Sequence, residues 1–498
     1  MDFGKFVEAG LKLMSAVFVS AMGLIVLAII VMFIVDRLQT RDAIRRNYPV
    51  LGRFRRIFTE LGEFFRQYFF AMDREELPFN RAQREWIGRA ARAESDTVAF
   101  GSTRDLTKPG TAIFVNTLFP VLDSDVAETE DMMIGPHARK PYDAPSFFNI
   151  SGMSFGAVSK PAVKALSRGA AKANIWYNTG EGGLSPWHLE GGCDIVFQIG
   201  TAKYGVRDEN GNLSDDKLRE IAAHDQVRMF ELKLSQGAKP GKGGLLPGTK
   251  VTPEIARIRG IPEGQPSISP NRHTDVSNLD ELLDMINHIR DVTGKPTGFK
   301  SVFGSFEWLE ELCMKIRERG LEHAPDFITI DSGDGGTGAA PMPLMDNVGL
   351  VVRESLPAVS DIMHKYGLRD RIRLIVSGKM VNPTAVALAI ATGADFVVTA
   401  RGFLFSLGCI QALRCNKNTC PTGITTHDPR LQKGLVPREK YKNVASYARS
   451  VINEVEMIAH SCGVHEPRQL RRHHVRIVQD GGGSIPLSEL HPRPESIV

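Results

Sequence analysis

Three of the six cysteines of the chain, Cys409, Cys415 and Cys420, lie within twelve residues and precede Pro421. Structural zinc sites usually take four ligands and pair cysteines two residues apart, whereas this segment offers three thiols at wider spacing. Three thiolates suit an iron–sulfur cluster in which one iron position is absent or held in another way. The pattern therefore predicts an iron–sulfur cluster, and buried structural cysteines are the alternative.

A glycine-rich segment, SGDGGTG at 332–338, follows a short apolar run and is typical of a loop that binds phosphate. Consecutive glycines let backbone N–H groups point into one concavity, which holds an anion. Gly378 and Arg401 follow two later apolar runs and can complete the same site. The segment therefore predicts phosphate binding, and a plain tight turn is the alternative.

Four polar side chains, Gln236, Lys239, Arg259 and Lys300, lie on or after two apolar runs in the middle of the chain. The glycines of QGAKPGKGG around Lys239 remove side-chain bulk, so that an anionic ligand can approach the backbone closely. Solvated cations of no special function are the alternative. Glu181, which lies among glycines, is a candidate general acid or orienting carboxylate, or else a simple turn residue.

Eight short apolar or β-branched runs precede these polar loops, and helical patterns separate most of them. Strands that alternate with helices indicate a parallel sheet, and eight of them favour a closed barrel. Because the loops after barrel strands meet at one face, we expect one large site there. The predicted fold class is α/β, a (β/α)8 TIM barrel with strands at 147–150, 175–177, 195–199, 229–234, 297–302, 327–330, 373–376 and 396–398.

The N-terminal segment 13–35 contains no charged residue and consists mostly of Leu, Ile, Val and Phe. As a helix it rises about 35 Å, which is enough to cross a hydrocarbon core of about 30 Å. We predict one N-terminal transmembrane helix, with a cleaved signal peptide or a buried core helix as the alternatives. Arginines after the segment outnumber the lysines before it, which predicts a single-pass protein with its catalytic domain on the cytoplasmic side.

The predicted organisation is an anchor at 1–36, a linker or collar at 37–140, a barrel at 141–465 and a tail at 466–498. The content of 42% hydrophobic and 24% charged residues is ordinary for a globular protein and excludes disorder. A net charge of +4 is too small to indicate nucleic acid as a partner. Six cysteines among 498 residues exclude a disulfide scaffold.

Six segments resemble the FMN-binding synthase domain of glutamate synthases in order and spacing: SGMSFG, NTGEGG, QGAKPGKGGLLPGTKV, ISPNRHTD, DSGDGGTGA and LGCIQALRCNKNTCPTGITT. The resemblance runs roughly from residue 145 to 460 and points to the short, membrane-anchored branch of that family. It implies a barrel that carries FMN and a 3Fe–4S cluster on the three cysteines that passes electrons to it. The residues implied to surround the flavin and its phosphate are Met153, Ser154, Lys300, Ser332, Gly335, Gly336, Thr337, Gly378 and Arg401.

The resemblance further implies that Gln236, Lys239 and Arg259 hold the carboxylates of 2-oxoglutarate and that Glu181 lines the reacting centre. The implied reaction is reductive amination of 2-oxoglutarate to glutamate through 2-iminoglutarate, with hydride from reduced flavin. The expected partners are ammonia or another amine and an external electron donor, such as ferredoxin or a membrane redox protein. A separate glutaminase subunit is a further expected partner.

The chain departs from the family pattern in three respects. The N-terminal glutaminase domain and the C-terminal β-helix are expected to be absent, and Lys242 stands where the family usually has an acidic residue. We therefore expect glutamine-dependent activity to require a partner. Two alternatives stay open: the same chemistry with another amine, such as methylamine giving an N-methyl amino acid, and a membrane-tethered electron-transfer or redox-sensing module without turnover.

Overall fold

The computed structural model describes residues 3–39, 42–70, 72–95, 97–122, 124–126 and 129–497. Internal contacts divide the chain into two compact units, Met1–Ala82 and Gln83–Val498. The domain boundaries predicted at 36, 140 and 465 stay predictions.

The first unit contains helices α1 (Phe3–Leu38), α2 (Ala43–Asn47) and α3 (Leu51–Phe65), and α3 continues into a π-helical turn at Arg66–Phe70. Leu, Ile, Val and Phe dominate α1, and most of its large apolar side chains are exposed. The part of α1 from Phe6 to Leu38 is long and apolar enough to cross a membrane. By length and composition, both a membrane span and a signal sequence fit this helix.

A charged elbow joins the end of α1 to the start of α3. The Asp36 carboxylate, in the last turn of α1, is fully buried. It accepts hydrogen bonds from Arg45 Nη2 at 2.5 Å, Arg53 Nε at 2.7 Å and the Val50 backbone N–H at 3.1 Å. A buried carboxylate is stable only with such partners, so these contacts hold the first turn of α3 beside the last turn of α1.

A closed barrel of parallel strands forms the centre of the second unit. The described strands are, in chain order, β1 (Ala112–Phe114), β2 (Met132–Ile134), β3 (Tyr142–Ala144), β4 (Phe148–Ile150), β5 (Tyr177–Asn178), β6 (Ile195–Ile199), β7 (Val227–Lys233), β8 (Leu245–Leu246), β9 (Ser267–Ile268), β10 (Thr297–Val302), β11 (Phe327–Asp331), β12 (Arg373–Ser377), β13 (Phe396–Thr399), β14 (Val475–Val478) and β15 (Ser484–Pro486). The barrel consists of β4–β7 and β10–β13, and β13 pairs with β4 to close it. Each of the eight apolar runs contributes one barrel strand, so the predicted TIM-barrel fold is confirmed.

Helices follow most of the barrel strands. In chain order the remaining helices are α4 (Arg81–Ala91), α5 (Lys160–Ala173), α6 (Pro186–Leu189), α7 (Asp215–Ala222), α8 (Pro253–Arg259), α9 (Leu279–Thr293), α10 (Glu307–Arg319), α11 (Met342–Asn347), α12 (Val352–Lys365), α13 (Pro383–Thr392), α14 (Arg401–Ser406), α15 (Pro429–Gln432), α16 (Pro437–Ser461) and α17 (Leu487–Leu490). Local sequence sets several of their ends: the Asn382 side chain accepts the Ala385 N–H before α13, and Asn174 ends α5 in a left-handed conformation. The link between β5 and β6, where no helix is evident from the sequence, holds the single turn of α6.

Two small sheets complete the second unit around the barrel. The β2–β3 hairpin packs with barrel side chains such as Met229 and Phe396 in one buried cluster. β1 pairs with β14, which places Ala112 opposite Ile477, and β15 extends that sheet. Residues on both sides of the barrel in sequence are therefore part of the same folded unit.

Candidate active site

All eight barrel strands contribute to one pocket at their C-terminal ends, because the loops after parallel barrel strands meet there. The loops after β4 and β5 supply its first wall, and the long loop after β7 covers it. β10–β13 supply the facing wall through the ends of the strands and the loops that follow them. The polar lining includes Ser154, Glu181, Gln198, Lys233, Gln236, Lys239, Arg259, Lys300, Asp331, Thr337, Lys379 and Arg401.

Three cations surround Glu181 in this pocket. Lys233 Nζ lies 2.9 Å from Glu181 Oε1, and both Lys239 and Arg259 act on the charge of Glu181. Among the described residues no carboxylate lies within 4 Å of the charged groups of Lys239 or Arg259. The pocket therefore carries more positive than negative charge at this wall, as a site for an anionic ligand requires.

Arg259 is buried although it forms no ion pair with a described residue. Its Nη1 donates to Ser267 Oγ at 3.1 Å and its Nη2 to Ser154 Oγ at 3.4 Å. The Nε atom has no hydrogen-bond partner in the part of the chain that the structure describes. Burial lowers the pKa of Arg259, and a ligand carboxylate would offset that cost of desolvation.

Burial, together with the charge of Lys233, lowers the pKa of Lys239 to about 8. Its Nζ donates to the Gly243 carbonyl at 3.4 Å. Burial raises the pKa of Glu181, but Lys233, Lys239 and Arg259 outweigh it and hold that pKa below its ordinary value. Glu181 is therefore ionised near neutral pH, while Lys239 loses its proton at about pH 8.

Glycines let the Glu181 side chain enter the pocket. A Cβ atom at Gly200 would lie 2.6 Å from Glu181 Cβ, and one at Gly244 would lie 2.6 Å from its Oε1. Real Cβ atoms do not approach so closely, so side chains at these two positions would displace Glu181. The glycines near Glu181 in space thus shape its position more than those that flank it in sequence.

Gln236 connects this wall to the glycine-rich loop. Its side-chain oxygen accepts a hydrogen bond from Lys233 Nζ, and its Nε2 donates to Thr337 Oγ1 at 3.1 Å. Arg401 Nη2 donates to the Thr337 carbonyl. The two groups of residues that the sequence assigns to an organic anion and to a phosphate are therefore in contact.

The loop after β12 passes very close to the loop after β11. Gly378 has φ 115°, and a Cβ atom there would lie 2.3 Å from Ser332 Cβ, so only glycine fits. Ser332 Oγ donates to Asp334 and accepts the Val352 N–H at 3.0 Å. Lys379 Nζ pairs with Asp334 at 2.9 Å. These contacts fix the loops, while Gly336, Thr337 and Gly378 face the pocket.

A buried ion pair stands at the base of the same wall. Lys300 Nζ lies 3.1 Å from Asp331 Oδ2, and Asp331 also accepts the Gly237 N–H at 3.0 Å. Burial lowers the pKa of Lys300, but Asp331 and Glu231 outweigh it and raise that pKa. Lys300 is therefore a permanent cation whose charge is already balanced.

Two charged residues of β7, Glu231 and Lys233, are not among the site residues that the sequence predicts. Both are buried, and Lys233 lines the pocket. Glu231 accepts hydrogen bonds from Asn178 Nδ2 at 2.8 Å, Gln198 Nε2 at 2.6 Å and Thr329 Oγ1 at 2.6 Å. The signal that could have found them is a pair of charges two residues apart in an apolar strand, since residues i and i+2 share a face.

The cysteine loop borders the pocket through Cys415 and its neighbour Asn416. Cys415 lines it, and Arg401 Nη1 donates to Cys415 Sγ at 3.7 Å. Burial raises the pKa of Cys409. Burial also raises the pKa of Cys420, but hydrogen bonds from Thr422 and Thr425 outweigh it and leave the pKa below its usual value. Among the described residues, no three His, Cys, Asp or Glu side chains are gathered so that they could hold a metal ion.

Backbone strain also marks the cysteine loop. Gln411, Leu413 and Asn418 adopt left-handed conformations with φ 57°, 53° and 58°, which side chains rarely favour. Such strain persists only where the surroundings impose it, and it is concentrated at functional sites.

All sequence-predicted site residues other than Ser332, Gly335, Cys409 and Cys420 line the pocket: Met153, Ser154, Glu181, Gln236, Lys239, Arg259, Lys300, Gly336, Thr337, Gly378, Arg401 and Cys415.

The fold and site define an α/β-barrel protein whose pocket combines surplus cations with a glycine-rich loop. A family model described as the conserved region in glutamate synthase matches residues 90–465. The chain is 40% identical over 497 residues to the glutamate synthase large subunit-like protein YerD of Bacillus subtilis, covering 92% of this chain and 94% of that protein. The chain therefore belongs to the glutamate synthase family.

Other similar proteins cover the chain less completely. The archaeal-type glutamate synthase (NADPH) of Thermotoga maritima is 33% identical over 323 residues, which are 64% of this chain and 60% of that protein. Among solved structures, the flavin-binding domain of baker's yeast flavocytochrome b2 has a TM-score of 0.46 and 12% identity, covering 84% of this chain and 85% of that chain. A lactate oxidase of Pediococcus acidilactici has a TM-score of 0.44 and 15% identity, covering 72% and 81%.

Proposed function

We propose that the chain is an FMN and iron–sulfur oxidoreductase that converts 2-oxoglutarate and ammonia to glutamate through 2-iminoglutarate with external electrons. The observation that carries the proposal is the surplus of cations around Glu181, in contact through Gln236 with the glycine-rich loop. A dicarboxylate substrate beside a phosphate-bearing cofactor requires this combination. The names of the family relatives support the same reaction class.

Different residues of the pocket would bind the two carboxylates of the substrate and exchange protons with its reacting atoms. Arg259 and Lys239 would bind the carboxylates, since a guanidinium forms a planar fork and an ammonium a point charge. Lys233 forms an ion pair with Glu181 beside the residues that would bind the substrate. This pair can therefore exchange a proton with the amine nitrogen or with the keto oxygen of 2-oxoglutarate. Fixing both carboxylates presents the carbon of the imine in one orientation.

FMN fits the facing wall. Gly336, Thr337, Gly378 and Arg401 would hold its phosphate, because they combine a glycine cradle with a cation. Lys300 on the same wall, with Met153 and Ser154 on the wall opposite, would hold its ring. When bound, reduced FMN supplies a hydride to the imine. The chain's own residues then position the substrate and exclude water from it.

The cysteines would hold the proposed 3Fe–4S cluster, although they do not form a ligand group among the described residues. The proposed work on the substrate uses no group of the cysteine loop, so the cluster is tested separately. We expect Cys415→Ser to remove iron from protein purified without oxygen while FMN stays bound. Cys462→Ser, at a cysteine outside the loop, is the matched control. Full iron content after Cys415→Ser would refute the ligand assignment.

We further propose that α1 anchors the protein in a membrane once, with the barrel on the cytoplasmic side. Electrons would come from a ferredoxin-like or membrane-bound redox protein, and ammonia from solution or a separate glutaminase. The long apolar span of α1 and the arginines that follow it support this arrangement.

Anaerobic reoxidation of the flavin tests the proposed reaction. The purified protein is reduced chemically, and 2-oxoglutarate with ammonium is added while the flavin spectrum is followed. We expect reoxidation with formation of glutamate. Reoxidation with methylamine but not ammonium would replace ammonia by another amine. A flavin that stays reduced with every amine, in protein that binds 2-oxoglutarate, would instead identify an electron-transfer or redox-sensing module.

A further inference from the structure

The helix that follows the elbow presents a continuous apolar face. Large apolar side chains of α3 recur at positions 51, 54, 58, 61 and 65, alternating steps of three and four residues that share one helix face. Leu51 is 68% exposed and Phe58 67% exposed. Exposed Phe69 and Phe70 continue the apolar character beyond the end of α3. A continuous apolar face on an exposed helix marks a site of contact with a protein or a membrane.

The elbow fixes where this face can lie. The buried carboxylate of Asp36 in the last turn of α1 accepts hydrogen bonds from Arg53, in the first turn of α3, and from the backbone N–H of Val50 just before it. The start of α3 is therefore held at the point where α1 would leave a membrane. Gln39 Nε2 reinforces the same turn by donating to the carbonyls of Asp36 and Asp42 at 3.1 and 2.7 Å.

The chemistry of the helix favours lipid as the partner. Residues 43–66 contain six arginines and two glutamates, so the segment is basic. Aromatic rings with arginines are typical of helices that lie at the boundary between hydrocarbon and lipid headgroups. A second copy of α3 is a poorer partner, because phenylalanines at positions 54, 58 and 65 occupy seam positions where paired helices use Leu, Ile or Val.

We propose that α3 is an interfacial membrane helix, whose face of Leu51, Phe54, Phe58 and Leu61 enters an anionic lipid surface at the point where α1 leaves the bilayer. The proposal rests on the proposed anchor and is independent of the proposed reaction. It adds a second membrane contact to the chain. Its consequence is that the contact of α3 with the bilayer surface depends on anionic lipid, while α1 holds the chain in the membrane.

Tryptophan emission from the full-length protein in vesicles tests this contact. The vesicles contain phosphatidylcholine and phosphatidylglycerol, with or without bromine on the acyl chains, which quenches tryptophans that reach the hydrocarbon. Phe58→Trp reports the α3 face, and Met457→Trp, at an exposed position of α16, is the matched control. Emission of the unsubstituted protein is subtracted from both.

We expect the added emission of Phe58→Trp to be blue-shifted and lost in brominated vesicles, while that of Met457→Trp persists. A blue-shifted emission without quenching would mean that protein, such as a second copy, covers the face, and would overturn the proposal. An unshifted emission, equal to the control, would overturn it as well. Alkaline extraction of the same vesicles tests α1 independently, because release of the protein there would refute the anchor itself.

A variant of the elbow tests what positions α3. Asp36→Asn, combined with Phe58→Trp, removes the charge that holds Arg45 and Arg53. We expect bromine quenching to decrease, since the first turn of α3 is no longer fixed beside α1. Undiminished quenching would show that the lipid surface alone positions the helix and would overturn the role of the elbow.

Discussion

The two walls of the pocket balance their charges differently. On the cation-rich wall (Lys233, Lys239, Arg259 and Glu181), three cations share one carboxylate. On the paired wall (Lys300 with Asp331, Lys379 with Asp334), each lysine has its own aspartate within 3.1 Å. The difference indicates that the first wall has unpaired positive charge for substrate carboxylates, while the two lysines of the second wall are balanced by aspartates of the protein. Removing a lysine should therefore weaken ligand binding at the cation-rich wall and reduce the stability of the protein at the paired wall.

The largest expected effect is on stability, at the paired wall. Lys300→Met leaves the buried Asp331 without its cation, and losing one partner of a buried pair costs about 3–5 kcal/mol. We expect the free energy of unfolding in urea, followed by tryptophan fluorescence, to fall by that amount. Lys239→Met is the control and should leave it nearly unchanged, because its removal orphans no described carboxylate. Equal losses in the two variants would contradict the distinction between the walls.

The second effect is on binding, at the cation-rich wall. Lys239→Met removes a charge-assisted bond to a carboxylate, worth about 1.5–3 kcal/mol, so 2-oxoglutarate should bind about 10- to 100-fold more weakly. Calorimetric titration measures the affinity, and the flavin spectrum should not change. Lys242→Met, at an exposed lysine of the same loop, is the matched control. Normal affinity of Lys239→Met would refute the carboxylate assignment.

A pH dependence should distinguish the walls more finely. The pKa of Lys239 is about 8 because the side chain is buried near Lys233, and only its protonated form attracts a carboxylate. Affinity for 2-oxoglutarate should therefore be constant below about pH 8 and fall above it by about tenfold per pH unit, until it reaches the affinity of Lys239→Met. Lys239→Met should remove this fall. A fall that persists in the variant would mean that another group titrates.

The smallest effect should come from Glu231, which lies one layer below both walls and binds Gln198 and Thr329. Glu231→Gln keeps the size of the side chain but removes the charge that acts on Lys300. The Thr329 hydroxyl can reverse its hydrogen bond, so the expected loss is about 1 kcal/mol of unfolding free energy. Glu231→Ala, which leaves three donors unsatisfied, should cost more. A loss as large as that of Lys300→Met would place Glu231 within the paired wall.

The barrel could be predicted from the sequence because each strand is a short apolar run and each polar loop follows one. The pocket residues in the loops could be predicted as well, because glycines mark these loops in the sequence. Glu231 and Lys233 could not, because a charge inside a strand reveals its role only when its face and neighbours are known. The positions of Ser332 and Gly335 also depend on contacts between loops that lie far apart in sequence.

The sheet that joins β1 to β14 has a consequence for biosynthesis. β1 leaves the ribosome long before β14, its hydrogen-bonding partner, is translated. Until β14 has been made, the β1 segment lacks the strand that covers its edge in the folded protein. A C-terminal truncation before residue 475 would make that state permanent, which argues against shortening the chain there for expression.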